Sequence, residues 1–188
     1  MGKPTLVMLF QKAVFLDRDG VINQNVFFND TNEWESPRLA NQFTIKEGVI
    51  EALRNLQKAK FLLFLVSNQP NIAKKKSTMA ELNSVHDKFV SILSKEKISF
   101  ADFYYCFHHP DGIVPEYSFI CECRKPKPFF LLKAAKKYKI SLENSWLVGD
   151  RATDIECGIA AGTKTILIKD AEDPIKCTKR QFSANSLY

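Results

Sequence analysis

The run Ala13-Val14-Phe15-Leu16-Asp17-Arg18-Asp19-Gly20 decides how this chain is read. Its four apolar residues suit a strand buried on both faces, and they deliver two carboxylates, two positions apart, to the strand's end. In a parallel sheet flanked by helices, that end opens into the crevice where ligands bind. Two like charges there call for a counter-ion. Mg²⁺ is the natural candidate, because it is bound through one or two carboxylates together with waters and phosphate oxygens. With the ion present, one Asp can attack phosphorus while the other handles a proton. Asp-x-Asp alone also describes a solvated acidic turn after a strand, so the rest of the chain has to choose.

Outward from this junction, strand and helix patterns alternate. Residues 13–17 read as a first strand. Residues 47–59 carry Val49, Ile50, Leu53 and Leu56 at helical spacing, and 61–66 form a second buried strand. A helix over 78–93 follows, with Leu82, Val85, Phe89, Ile92 and Leu93 on one face and Thr78 with Glu81 as a capping box. Residues 103–107 predict a third strand and 128–138 a helix with proline at its start. A fourth strand over 146–148 runs into Gly149-Asp150, and a fifth over 165–168 follows a helix ending near Gly162. This alternation predicts an α/β fold, a parallel sheet with helices on both faces. Residues 24–42 are polar and irregular, which predicts a long loop beside the end of the first strand; long loops in compact domains are commonly functional. The stretch from 170 to 188 has little periodicity and is expected to pack loosely.

At 188 residues, 45% hydrophobic and 26% charged, the chain fits one domain over 1–188, its core spanning about 13–168. No apolar run approaches the roughly 20 residues of a membrane span, and the opening Met1 to Phe10 lacks the small-residue cleavage site of a signal peptide. The net charge of +6 suits a phosphorylated partner, but the lysines are dispersed, which favours a solvated surface over nucleic acid as the partner. Five cysteines make a poor disulfide framework, which points to a reducing compartment, hence the cytoplasm, and a monomer is expected.

Each predicted strand end carries a chemistry-bearing group. The first supplies Asp17 and Asp19, the second Ser67-Asn68-Gln69, the fourth Asp150 with Asp154 one turn on, and Arg124-Lys125-Pro126 precedes a helix. A carboxylate nucleophile, a cation site, a hydroxyl and a lysine make the set that phosphoryl transfer needs, because the transferred group spreads negative charge over its equatorial oxygens. Separately, Ser67 and Lys125 are also explained as an ordinary strand end and a surface lysine. Together, in this chain order, they are harder to explain that way.

Cys106-Phe107-His108-His109-Pro110 and Cys121-Glu122-Cys123 add three thiolates and an imidazole, the ligand set of a tetrahedral structural Zn²⁺. The one-residue gaps differ from those of zinc fingers. His109 is the alternative ligand to His108, and free thiols on a strand and a loop are the alternative to a metal. A four-ligand zinc has no open position, so its expected role is to hold the loop and aim Arg124 and Lys125. Cys157 and Cys177 have no comparable partners.

With these residues in hand, the chain resembles the haloacid dehalogenase-like phosphohydrolases. Asp17 to Asn23, Ser67-Asn68-Gln69, Lys125 and Gly149 to Asp154 match that superfamily's motifs in order, over roughly residues 13–168. The Cys/His pairs resemble a narrower branch that includes heptose-bisphosphate and histidinol-phosphate phosphatases, and the long loop between them is more similar to the former. The resemblance implies a Rossmann-like sheet without a large cap domain, Mg²⁺, a zinc-stapled loop and a small sugar phosphate as substrate. It implies Asp17 as nucleophile and Asp19 as acid and base, with Ser67 and Lys125 on the phosphoryl group. Mg²⁺ would lie on Asp17, Asp150 and the Asp19 carbonyl, with Asp154 behind, and Zn²⁺ on Cys106, His108, Cys121 and Cys123. Asn25, Asn68, Gln69 and Arg124 would contact substrate. Histidinol phosphate is the rival substrate, and a nucleic-acid 3′-phosphate is a second, kept in view by Phe27, Phe28 and Trp34. A binding protein that has lost turnover is disfavoured, since Asp17 and Asp19 are both present. This chain departs from the branch where Pro70-Asn71-Ile72-Ala73-Lys74-Lys75 replaces Ser-Gly-Ile-Ala-Arg-Gly, where Phe27-Phe28 replaces Gly-Tyr, and where Phe129 replaces Gly.

Overall fold

The computed structural model describes residues 10–168 and the strand 182–184. Strand β1 (Lys12–Leu16) lies inside the sheet, between β4 (Phe61–Asn68) and β6 (Trp146–Gly149), and is parallel to both. Beyond β4 lies β5 (Asp102–Cys106), and beyond β6 lie β7 (Lys164–Ile168) and β8 (Phe182–Ala184), all parallel to their neighbours. From β1 the chain moves outward through β4 to β5, then crosses back to β6 and moves outward on the other side. The direction reverses between β1 and β6, so the switch-point crevice lies where Asp17 and Asp150 emerge.

Side-chain alternation along β1 divides the core. Val14 and Leu16 face α1 (Val49–Lys58) and α2 (Met79–Lys95), joining Leu53, Leu65, Val85 and Phe89. Ala13 and Phe15 face the opposite side, where α3 (Phe129–Tyr138) and α4 (Ala152–Ala161) contribute Phe130, Leu131, Ala134 and Cys157. Both faces of the strand are therefore dry, which is why it reads as a continuous apolar run.

The elements expected from periodicity are present, with ends displaced by a residue or two. Strand β4 runs on to Asn68, so Ser67 and Asn68 stand on the sheet itself. Thr78 caps α2 as the spacing predicts: its Oγ accepts from Glu81 N–H at 3.2 Å and Glu81 accepts from Thr78 N–H at 2.7 Å. Gly162 ends α4 at φ 81°.

The stretch 24–42 departs from the expectation of an irregular loop. It holds an antiparallel hairpin, β2 (Val26–Phe28) with β3 (Glu33–Glu35), and a 3₁₀ turn, Ala40–Gln42. Strands of three residues are too short to show a period, and the turn between them closes through Asn32 at φ 53°, a conformation asparagine tolerates. Within the chain beyond 168, Phe182–Ala184 pairs in register with β7, so that part is ordered into the sheet. The remaining expectation of loose packing, and Cys177, fall outside the described residues. Among those described, no helix is long and apolar enough to cross a membrane.

Phe64 ties the second half of the core together, stacked on Phe15 at 5.1 Å and set edge-on to Tyr138 at 5.1 Å. Phe64→Ala is expected to cost about 3–5 kcal/mol, the range for truncating a fully buried aromatic. Urea unfolding of parent and variant measures it, and a loss under 1 kcal/mol would contradict this packing.

Candidate active site

At the end of β1 the Asp17 N–H donates to Val148 O at 2.9 Å, holding the chain against β6, while its carboxylate turns into the crevice. One Asp17 oxygen accepts from Arg18 N–H at 2.8 Å and meets Lys125 Nζ at 3.0 Å. The same ammonium lies 2.6 Å from Asp154 Oδ1 and donates to Val66 O at 2.7 Å. Carboxylate oxygens of Asp17, Asp150 and Asp154 all lie within 4.8 Å of one another, in residues that are buried.

Such crowding has electrostatic consequences. Burial, then the facing Asp17 and Asp154 charges, push the Asp150 carboxyl well above the ordinary carboxylate range. Burial disfavours the Lys125 ammonium, but Asp154 and Asp17 outweigh it and hold its pKa above the usual lysine value. Three carboxylates outnumber that one ammonium, and Asp150 Oδ1 is buried with no hydrogen-bond partner. An orphaned anionic oxygen in a carboxylate cluster fits a divalent cation. Asp154 is the more committed member, since its Oδ2 also accepts from Arg151 N–H at 3.0 Å.

Glycine is required at Gly20. Its φ is +77°, and a Cβ there would run into the Asp150 carboxylate. The Asp-x-Asp-Gly ending thus places backbone directly against the cluster, a relation that only the fold reveals.

Asp19 faces a different set of donors. Its carboxylate accepts from Arg18 Nε at 3.1 Å, Asn23 Nδ2 at 3.0 Å and Gln69 Nε2 at 2.5 Å. Gln69 also donates to Ser67 Oγ at 3.0 Å and is wholly buried. It therefore ties Ser67 to Asp19 from behind. Asn68 grips the Lys125 backbone twice, donating to its carbonyl and accepting from its N–H, each at 3.1 Å.

A cleft of about 660 Å³ opens above the carboxylates, lined by Asp17, Asp19, Trp34, Lys74, Arg124 and Lys125 among others. Asn68 reaches it as well. Two expected substrate contacts, Asn25 and Gln69, are not among its lining residues: Gln69 is spent on Asp19 and Ser67, and Asn25 precedes the hairpin that forms the rim. Glu35, Lys76 and Arg151 also line the wall; Arg151 belongs to the Gly149 to Asp154 motif, whereas nothing in the sequence distinguishes Glu35 and Lys76 from solvated charges.

Cys106, His108, Cys121 and Cys123 place one ligand atom each within 4.8 Å of the others. The Sγ atoms stand 3.3–3.5 Å apart and Cys123 Sγ is 3.4 Å from His108 Nδ1. Three thiols and an imidazole at such spacing fit a tetrahedral zinc, whose bonds to sulfur are about 2.3 Å. His109 faces elsewhere, its Nδ1 accepting from Asp111 N–H at 3.1 Å. From Cys123 the chain passes at once to Arg124, which donates to His108 O at 3.2 Å, and to Lys125.

Fold, switch-point carboxylates and buried lysine define a phosphoryl-transfer hydrolase of the α/β class. The HAD-hydrolase-like family model matches residues 122–179. The chain is 36% identical over 163 residues to the D-glycero-beta-D-manno-heptose-1,7-bisphosphate 7-phosphatase of Escherichia coli K12, covering 87% of this chain and 81% of that protein. It is 33% identical to the D-glycero-alpha-D-manno-heptose-1,7-bisphosphate 7-phosphatase of Photorhabdus laumondii, over 94% and 93% of the two chains. Among solved structures, the D,D-heptose 1,7-bisphosphate phosphatase of B. bronchiseptica, complexed with magnesium and phosphate, superposes with a TM-score of 0.74 at 26% identity, covering 94% of each chain. The chain belongs to the haloacid dehalogenase-like phosphohydrolases, in the family of the heptose-bisphosphate phosphatases.

Because the Asp150 charge is opposed by burial and by its neighbours, Asp150→Asn should stabilise the protein in magnesium-free buffer by about 1–3 kcal/mol, the scale of relieving an uncompensated buried group. Urea melts of the two proteins without magnesium test this; a destabilised variant would overturn the account of the cluster.

Proposed function

We propose that this chain hydrolyses the 7-phosphate of D-glycero-D-manno-heptose 1,7-bisphosphate through an aspartyl-phosphate on Asp17. The observation that carries the chemistry is the Asp17 carboxylate at the switch point, paired with a buried lysine beside an unpartnered Asp150 oxygen. The observation that carries the substrate is the identity to enzymes named for it over most of the chain.

In the first step an Asp17 oxygen attacks phosphorus in line and the bond from phosphorus to the sugar oxygen breaks. Asp19 gives its proton to that oxygen, and the alcohol leaves. Lys125 and Ser67 hold the equatorial oxygens, where charge gathers in the transition state. Asp19, now a carboxylate, takes a proton from water as the water attacks the phosphoryl group, releasing inorganic phosphate and restoring Asp17. Asp17, Asp150 and the Asp19 carbonyl would hold Mg²⁺, which when bound screens the Asp17 carboxylate from the incoming phosphate and orients it. Asp154 serves behind them by fixing Lys125. Cys106, His108, Cys121 and Cys123 would hold Zn²⁺, clamping the ends of the 107–123 loop and leaving no position for chemistry.

Phosphate release from heptose 1,7-bisphosphate, histidinol phosphate and a 3′-phosphorylated oligonucleotide, each with Mg²⁺, separates the candidate substrates. The bisphosphate is expected to lead by kcat/KM, and Asp17→Asn is expected to lose at least about 10³-fold in kcat, as removal of a nucleophile does. Equal turnover of all three would sink the sugar reading, and surviving activity in Asp17→Asn would sink the covalent step. Elemental analysis of the purified parent should find about one zinc per chain, lost in Cys121→Ser together with thermal stability. A zinc-free and fully active parent would refute the structural zinc.

A further inference from the structure

One wall of the cleft takes no part in the transfer chemistry, and it is built from the β2–β3 hairpin and the turn after β4. Residues 70–76 make a single helical turn, begun by Lys74 N–H donating to Pro70 O at 2.9 Å. Lys75 N–H then donates to Ile72 O at 2.9 Å and Lys76 N–H to Asn71 O at 2.8 Å, with Lys75 at φ 54°. This pair of bonds around a left-handed residue is a Schellman ending, and it reverses the chain. The reversal brings Lys76 back onto the hairpin, where its ammonium pairs with Glu35 at the end of β3.

That ion pair is largely withdrawn from water, with side chains 23% and 10% exposed. Arg38 holds Glu35 from the other side, donating to it at 3.1 Å and to Asp30 at 2.8 Å while lying 3.8 Å over the Phe28 ring. Asn71 adds a second tie, donating to Ser36 Oγ at 3.1 Å. Hairpin and turn are thus joined at two adjacent points. A third joint follows, since Ile113 and Val114 N–H donate to Ala73 O at 2.7 and 3.1 Å and link the turn to the cysteine-bearing loop.

Two groups that this joint fixes line the same cleft as Asp17 and Lys125. Trp34, immediately before Glu35, is half-exposed and set edge-on to Phe27 at 5.5 Å. Lys74 lies two residues before Lys76. An indole offers a flat face to the C–H side of a sugar, and an ammonium offers charge to a second anionic group on it. Neither side chain can serve if its backbone drifts, and the joint ties the two backbones to each other.

We propose that the Glu35–Lys76 pair is a positioning latch that sets leaving-group selectivity, fixing Trp34 and Lys74 to receive a polyol that carries a second phosphate. This rests on the sugar-bisphosphate reading, so its test includes a readout that needs no substrate. Glu35→Gln, Lys76→Met and their combination are compared with the parent on heptose 1,7-bisphosphate and on p-nitrophenyl phosphate, whose leaving group is no polyol and carries no second phosphate. In each single variant the ratio of kcat/KM between the two substrates should fall five- to tenfold, chiefly through KM for the bisphosphate. The double variant should lose no more than either single, and Lys76→Arg should keep the ratio within twofold. In a Trp146→Phe background, which leaves Trp34 as the lone indole, Glu35→Gln and Lys76→Met should both shift the emission to the red. An unchanged ratio, or equal losses on both substrates, would overturn the latch. If the parent hydrolyses p-nitrophenyl phosphate but not the bisphosphate, the substrate reading fails; the latch then stands on the red shift and falls if Trp34 emission is the same in all variants.

Discussion

The buried ammonium of Lys125 is the charge on which the site depends. It stands 3.0 Å from Asp17 and 2.6 Å from Asp154, inside a cluster of carboxylates that would otherwise repel one another in a medium that screens poorly. One ammonium balances only part of that charge. Asp17 and Asp154 take it, Asp150 is faced by the Arg151 charge without a hydrogen-bond partner for its Oδ1, and that orphaned oxygen is what fits a cation. The fit of a divalent cation such as Mg²⁺ thus rests on the crowding of carboxylates and on the orphaned Asp150 oxygen, before any reference to catalysis.

Lys125 itself is held from two directions. Asn68, at the end of β4, grips the backbone on either side of the Lys125 peptide unit, so a sheet strand fixes where the lysine begins. The Cys/His cluster fixes the segment just before it, with Arg124 returning a hydrogen bond to His108 O. A zinc in that cluster would therefore act on the chemistry at a distance of two residues, by denying Lys125 any slack. This explains why a metal with no open coordination position would sit so near a reacting centre.

Legibility in the sequence followed the physics of each part. The sheet was readable because its strands are buried on both faces and its helices repeat at 3.6 residues, so β1, β4 and α2 could be placed, while the strand order and switch point came from the fold. The clustered carboxylates Asp17 and Asp150 were readable because strand ends are where a parallel sheet delivers functional groups. The hairpin was not, since three-residue strands carry no period, and Phe27, Phe28 and Trp34 point from sequence only to aromatic stacking on a nucleic acid. Gln69, expected on substrate from its place in the Ser-Asn-Gln run, follows the last residue of β4 and is spent on Ser67 and Asp19. Glu35 and Lys76 lie 41 residues apart and meet only through tertiary structure, which no spacing rule could anticipate.

The turn at 70–76 holds its course through partners on both sides. Lys75 occupies the left-handed position that a glycine fills most cheaply, and an ordinary residue there carries a strain of about 1–2 kcal/mol. The chain accepts that strain and keeps the Schellman reversal, because Lys76 must still come back to Glu35 and Ala73 must still meet Ile113 and Val114. With the backbone course held by partners on two sides, Pro70, Asn71 and Lys74 are set along the cleft, and Lys74 is the cation among them. That wall carries an ammonium and an aromatic face, Lys74 and Trp34, into the same cleft as Asp17 and Lys125, above buried carboxylates whose like charges oppose one another.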